Sequence, residues 1–370
     1  MRVGLIAKRG PAAAGTARYS EGLRRGLAEA GLDVCLEHPE LPSSRLVGLG
    51  RRAGVDLEAF FSSYPLRARP GPADLYHLTS QTLATLLLWQ RWSRPVVVTV
   101  LDILPYLLRR DPRLRLLRHP LDEAFYRMAL AALRRASALV AISEHTKKTL
   151  VDALGLPPDR IDVTPLGVEH ARFRPTSVPA GFRSQHGLAP ELKHLLYVGS
   201  NDPRKDLPTL VRGFARLRAE RADTRLLVVG GAPFREEQRE LEALIGRLGV
   251  AEDVRFVRGA SDDELVLFYN AASLVVMPSP HEGFGLPALE AMACGAPLVY
   301  ARAGPLPEIV GDTGVAFQPG DDGDLVAAAG RLLDDAAARE RLGQAARDRA
   351  AGFTWARTAE LTRCVYERLV

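Results

Sequence analysis

The stretch HEGFGLPALEAMACG, residues 281–295, lies just beyond the apolar run SLVVMP at 273–278. An uninterrupted apolar run of that length reads as a strand buried on both faces of a parallel sheet. The residues after it change character at once. Glu282 and Glu290 stand eight positions apart, with Gly283, Gly285 and Pro287 between them. The two glycines let the backbone turn tightly and approach a ligand, and Pro287 suits the first turn of a helix. The free N–H groups of such a helix favour an anion, most simply a phosphate. Two carboxylates beside an anion would repel it, so they serve better as acceptors for sugar and ribose hydroxyls.

Working outward, the same strand-then-helix rhythm recurs along the chain. RVGLIAK, DVCLEH, DLYHL, PVVVTVLD, ALVAIS and IDVTPL are short apolar runs separated by helical patterns such as ARYSEGLRRGLAEAG, closed by Gly31. The stretch 168–193 breaks the rhythm with Pro175, Pro179, Gly181, Gly187 and Pro190 and reads as a linker. A second series follows: HLLYVGS, RLLVVGG, VRFVRG, SLVVMPS, PLVYAR and VAFQPG. The expected fold class is therefore α/β, with two Rossmann-like, doubly wound domains facing a cleft. A chain of 370 residues accommodates two such cores.

Composition narrows the class. With 47% hydrophobic and 25% charged residues the chain reads as soluble and globular, and it contains no apolar run long enough to cross a bilayer. The start MRVGLIAKRG reads as a first strand and lacks the features of a cleavable signal. Cys35, Cys294 and Cys364 show neither metal-ligand nor disulfide spacing, which fits a reducing cytoplasm. Residues 1–175 carry 26 Lys+Arg against 17 Asp+Glu, a balance of +9; the remaining 23 against 27 gives −4. The two halves are expected to face different partners.

A second strand end supplies positive charge. In YVGSNDPRKDLPTL, Arg204 and Lys205 precede a helix and could neutralise a diphosphate, whose oxygens gain charge as a nucleotide departs. Other signals are weaker. DDGD at 321–324 reads as a solvated helix start rather than a metal site, and VVGGAP at 228–233 as a tight turn without a full dinucleotide fingerprint. Ser143 in VAISEHT reads as an N-cap.

EGFGLPALEAMACG, VGSNDPRKDLPTLVRGF and PEIVGDTGVAF together resemble the retaining glycosyltransferases of the GT-B fold, family 4 (group 1). The likeness continues through AGTARYSEGL, ASALVAISEHTKKTL and DRIDVTPLGVEHARFRP and covers nearly the whole chain. It implies transfer of a hexose, such as mannose or glucose, from a UDP- or GDP-linked donor to an acceptor hydroxyl. Glycolipid or cell-surface polysaccharide synthesis would be the setting, with no metal and no nucleic acid. Residues 1–172 would form the acceptor-side domain, with the last helix, 354–370, returning to pack on it. Residues 173–353 would bind the nucleotide sugar. Glu282 would hold sugar hydroxyls and Glu290 the ribose. The backbone of Gly283, Phe284, Gly285 and Leu286 would line the sugar–phosphate region. Arg204 and Lys205 would neutralise the diphosphate, Gly15 would approach it from the first domain, and Gly259 and Ser261 would shape the base pocket.

Three departures from the family pattern stand out. Leu101 occupies the place where members often carry a histidine, and Asp102 or His77 is left to fill that space. The turn before Gly15 reads AAAG where paired glycines are common, and Ser200 stands where many members have an arginine. An acceptor-free epimerase and a non-catalytic sugar-nucleotide binder are the alternative readings. Finally, LLLWQRWSRP (86–95, with Trp89, Arg91, Trp92 and Arg94) and LLRRDPRLRLLRHP (107–120) mix arginines with Leu and Trp. They raise the expectation of peripheral contact with an anionic membrane, as against an ordinary core with solvated arginines.

Overall fold

A computed structural model describes residues 1–9, 15–41, 57–117 and 119–370. It divides into two compact units, Met1–Gly167 together with Thr354–Val370, and Val168–Phe353. The first crossing thus falls a few residues before the 172/173 boundary read from the sequence.

The first unit holds a six-stranded parallel sheet: β1 (Arg2–Ile6), β2 (Asp33–Glu37), β3 (Leu75–Leu78), β4 (Val96–Val100), β5 (Ala138–Ala141) and β6 (Ile161–Val163). The order is β2-β1-β3-β4-β5-β6. The second unit repeats the plan with β7 (Lys193–Val198), β8 (Thr224–Val229), β9 (Val254–Val257), β10 (Leu274–Met277), β11 (Leu298–Ala301) and β12 (Val315–Phe317). Its order is β12-β11-β10-β7-β8-β9, again all parallel. Every apolar run picked out above falls on one of these strands, with β7 and β8 each starting one residue earlier than the run. The central ones are buried along their whole length, because helices cover both faces. In each sheet the winding direction reverses once, between β1 and β3 and between β7 and β10.

Helix ends follow local chemistry. Ser143 caps the helix Glu144–Leu154 by accepting from the Thr146 amide at 3.0 Å, and Gly155 closes it at φ 59°. Asp321 accepts from the Asp324 amide at 2.9 Å, so DDGD begins a helix, and Asp322 pairs with Arg212 and Arg216.

The last helix, Trp355–Glu367, belongs to the first unit. Its first residue sits where three glycines leave room. A Cβ added at Gly22 would lie 2.3 Å from the Trp355 ring, one at Gly26 2.6 Å from the Trp355 carbonyl, and one at Gly167 2.2 Å from its amide nitrogen. Farther along, the Tyr366 hydroxyl meets His77 Nδ1 at 2.5 Å, while His77 Nε2 meets Thr99 Oγ1 at 2.7 Å. Tyr19 completes the chain at 2.6 Å from Thr99 Oγ1. One N–H and one lone pair satisfy both contacts, which suits a neutral imidazole. Burial pulls its pKa down to about 3. His77 is therefore the structural histidine of the two readings, tying β3 to the returning helix.

Two outcomes follow for stability. Gly26→Ala overpacks the contact with Trp355, so denaturant titration should show the first unit losing about 1–3 kcal/mol. Gly246→Ala, at an exposed helical site with nothing within 4 Å, should instead be neutral or stabilising. The second outcome concerns pH. The unfolded chain protonates His77 near its ordinary value, whereas the folded chain resists until about pH 3. Stability is then lost as pH falls below about 6.5, by up to about 1.4 kcal/mol per unit for one proton. His77→Gln should flatten the slope measured between pH 6.5 and 4.5; an unchanged slope would mean His77 does not contribute.

Candidate functional site

Ligands of doubly wound sheets bind at the carboxyl ends of the strands where the winding direction reverses, because the two flanking loops diverge there. In the second unit those are the loops after β7 and β10. Lys205 from the first and Glu282 from the second meet across this point, Nζ to Oε1 at 2.6 Å. Both side chains are largely withdrawn from water, 19% and 7% exposed.

The loop after β7 is built by close packing and short polar side chains. A Cβ at Gly230 would lie 2.0 Å from the Gly199 carbonyl, so the VVGG turn after β8 presses directly on the β7 loop. The Asn201 amide donates to the Phe234 carbonyl at 2.6 Å and accepts from the Phe234 amide at 3.2 Å. Asp202 caps the 3-10 turn Pro203–Lys205 through the Arg204 amide at 3.0 Å. The same carboxylate grips the Arg204 guanidinium with two bonds, 3.1 and 2.8 Å. Burial would raise the Asp202 pKa, but the Arg204 hydrogen bonds and charge, with Lys205, outweigh it and hold it below the ordinary value. Arg204 is thus engaged within its own loop, while Lys205 reaches across to the other.

The loop after β10 ends at Gly285, whose φ of 100° a side chain would rarely adopt and where a Cβ would strike Leu306 at 2.8 Å. The helix Leu286–Ala293 begins there without a side-chain cap. The Phe284 ring is buried and lies edge-on to Phe353 at 6.3 Å, so it faces the core and leaves its backbone to line the loop. Glu290, 3% exposed, accepts from the Tyr269 hydroxyl at 3.0 Å, and Tyr269 rests on Phe173. Ser279 is buried, and its hydroxyl has no hydrogen-bond partner among the described residues. A Cβ added at Gly304, after β11, would lie 3.6 Å from the Glu282 amide nitrogen.

Glu282, Lys205, Arg204, Glu290 and the backbone from Gly283 to Leu286 are thus gathered at one end of one sheet. Gly259 and Ser261 follow β9, two strands beyond β7, or about 10 Å at ordinary strand spacing. The Ser261 hydroxyl is occupied in a capping box with Glu264, accepting from its amide at 3.2 Å and donating to its carboxylate at 2.9 Å. Gly259 turns at φ 71° with open space around it.

Gly15 and Asp102 belong to the first unit. Gly15 opens the helix Gly15–Glu29, with nothing among the described residues within 4 Å of a Cβ; the AAA of the turn before it lies outside the described residues. Asp102 follows β4 and accepts from the Leu104 amide at 3.0 Å. For Lys8, two residues past β1, burial lowers the pKa to about 8, against the opposing pull of the Asp102 charge. The Leu101 amide donates to Gln81 Oε1 at 3.2 Å. Sequence reasoning passed over Lys8, Asn201, Asp202, Tyr269, Ser279 and Gly304. Of these, Asp202 alone carried a local signal, as a cap former beside a helix start.

The basic, Leu- and Trp-containing stretches do not form one surface. Trp89, 57% exposed, lies before β4, at the amino ends of the strands, whereas Leu107, 39% exposed, follows β4 at the carboxyl ends. Trp92 packs on Tyr76 with ring centroids 5.0 Å apart, and Arg109 lies over the Tyr106 ring at 3.9 Å. The membrane surface expected from sequence is therefore divided between opposite ends of the sheet. Among the described residues no helix is long and apolar enough to cross a membrane, and no group of three or more His, Cys, Asp or Glu is arranged to hold a metal.

Comparison with known proteins bears on this site. The family model for glycosyl transferases group 1 matches residues 181–349, and that for glycosyltransferase family 4 matches 13–172. A D-inositol 3-phosphate glycosyltransferase of Stackebrandtia nassauensis is 34% identical over 86% of this chain and 74% of its own length. An MMP alpha-(1->4)-mannosyltransferase of Mycolicibacterium hassiacum is 34% identical over 82% and 73%. A second D-inositol 3-phosphate glycosyltransferase, from Catenulispora acidiphila, is 37% identical over 64% of this chain, and the match spans just 57% of that relative. Among solved structures, sucrose-phosphate synthase of Thermosynechococcus elongatus superposes with a TM-score of 0.78 at 25% identity, covering 100% and 98% of the two chains. The Anabaena protein HepE in complex with UDP-glucose shares the fold, with a TM-score of 0.75 at 20% identity over 99% and 100%. Two matched family models, relatives aligned over most of their length and a shared double sheet lead to one conclusion: this chain belongs to the GT-B glycosyltransferases of family 4, group 1.

Proposed function

We propose that this protein transfers a hexose from a nucleotide diphosphate sugar to an acceptor hydroxyl with retention of anomeric configuration. The observation that carries the reading is the Lys205–Glu282 pair at the reversal point, beside an uncapped helix start that bears Glu290. An ammonium, the backbone of the 283–286 loop and two carboxylates within one strand-end crest match a diphosphate flanked by hydroxyl-rich groups.

In this reading the diphosphate lies over the start of Leu286–Ala293, where the backbone of Gly283, Phe284, Gly285 and Leu286 and the Lys205 ammonium meet it. Leaving-group charge grows towards the transition state, so a cation fixed in a partly desolvated place lowers the barrier more than it tightens ground-state binding. Lys205 carries this role directly. Arg204, held by Asp202, adds field at longer range. Glu282 takes hydroxyls of the donor sugar and Glu290 the ribose, with Tyr269 fixing one carboxylate oxygen. The base then extends towards β9, where Gly259 contributes open backbone and Ser261 shapes the loop as its helix cap. Charge neutralisation by Lys205 and the helix start is the basis for a metal-independent mechanism.

Asp102 and the first unit take the acceptor side. Relatives named for inositol phosphate and mannosyl transfer support a polyol or sugar hydroxyl as acceptor, and the UDP-glucose complex of a fold relative supports a UDP-linked donor, with a GDP-linked one as the other candidate. Leu101, at the place where the resemblance implies a histidine, motivates the second reading, a sugar-nucleotide binder without transfer.

Incubation with UDP- and GDP-linked glucose and mannose, with and without polyol and sugar acceptors, separates transfer from binding alone. Proton NMR of the product should show the donor's anomeric configuration kept; inversion would overturn the mechanism. Glu290→Ala should weaken donor binding by roughly 1.5–3 kcal/mol, the value of a hydrogen bond to a charged group. Lys205→Ala should lower kcat by about 10²–10³, the range for removing one transition-state electrostatic contact, with a smaller rise in KM. Wild-type kinetics in both variants would move the site elsewhere.

A further inference from the structure

Among the described residues Asp206 is the only non-glycine with positive φ, at φ 50° and ψ 46°. It sits between two right-handed segments, the 3-10 turn Pro203–Lys205 and the helix Leu207–Glu220. Residues of L chirality avoid this conformation; glycine adopts it freely, and Asn and Asp more readily than the rest. Strained backbone of this kind persists where surrounding structure over-determines it and gathers at functional sites.

The surroundings here are specific. The turn is fixed at its start, where Asp202 accepts from the Arg204 amide and the Lys205 amide donates to the Asp202 carbonyl at 2.8 Å. It is fixed at its end by the Asp206 amide, which donates to the Pro203 carbonyl at 3.2 Å. The Asp206 carboxylate then caps the following helix, accepting from the Thr209 amide at 3.4 Å. Burial raises its pKa, opposed by the Thr209 hydrogen bonds and by Arg212.

We propose that Asp206 is a positioning residue for Lys205. Its left-handed backbone stops the Asp202-capped turn from running on into the helix. In a continuous helix Lys205 would project from the helix surface one turn in. With the kink it stays at the strand end and reaches Glu282, 2.6 Å away. A glycine would serve the backbone alone; aspartate adds the cap, so one residue both breaks the helix and restarts it. The proposal rests on the reading of Lys205 as the diphosphate-binding cation.

Four variants separate backbone from carboxylate. Asp206→Asn keeps both functions, Asp206→Gly keeps the backbone alone, and Asp206→Ala and Asp206→Val progressively disfavour the left-handed conformation. UDP and GDP are titrated calorimetrically at a temperature where circular dichroism shows each variant folded, and each variant's crystal structure gives the Lys205–Glu282 distance. Asn and Gly should bind the preferred nucleotide within about threefold of wild type, the Gly variant melting earlier, since caps act mainly on stability. Ala, and Val if it folds, should lose about tenfold or more, as a displaced contact group does, with the pair opened beyond hydrogen-bond distance. An intact pair and wild-type affinity in Ala, or an affinity loss in Gly equal to that in Ala, would overturn the proposal. If the wild type bound neither nucleotide, the functional reading would fall, while an intact or opened pair in Asp206→Ala would still decide the positioning role.

Discussion

The Lys205–Glu282 pair joins the ends of two neighbouring strands that the chain reaches from opposite directions of winding. Taking two charges out of water is costly, and well-packed apolar side chains in their place are often neutral or stabilising. A largely buried pair of this kind is therefore weak as a staple and informative as a site. The rest of the second unit is arranged to hold it. Gly230 presses on the Gly199 carbonyl, Asn201 fastens the next loop, Asp202 and Asp206 bracket the lysine turn, and Gly304 backs the Glu282 amide.

The first unit depends on another close approach. Trp355 enters a place that Gly22, Gly26 and Gly167 leave empty, and the helix it begins carries Tyr366 to His77. Because this helix follows the second unit in sequence, the chain crosses between units twice, and the last residues complete the core of the first. A neutral, fully buried histidine at the far end of that contact makes the assembly sensitive to acid without giving it a catalytic role.

Several assignments changed once side chains had neighbours. Arg204 and Lys205 are adjacent in sequence and look alike there, yet one is gripped by Asp202 and the other spans to Glu282. Ser261 is a helix cap by its hydrogen bonds. The Trp89 and Leu107 stretches, eighteen positions apart, fall at opposite ends of a parallel sheet because a strand lies between them.

The sequence by itself determined the twelve strands of the described residues, the double-sheet plan and the strand-end crest that carries Glu282 and Glu290. Those features are local: an apolar run, a Gly-Pro turn and a helix start each report themselves within a dozen residues. What only the tertiary structure decided is pairing over distance. Tyr269 on Glu290, Trp355 among three glycines and His77 against Tyr366 join residues apart in the chain. No periodicity or spacing encodes such partners, because each depends on which strands the sheet brings side by side and on how closely two backbones can approach.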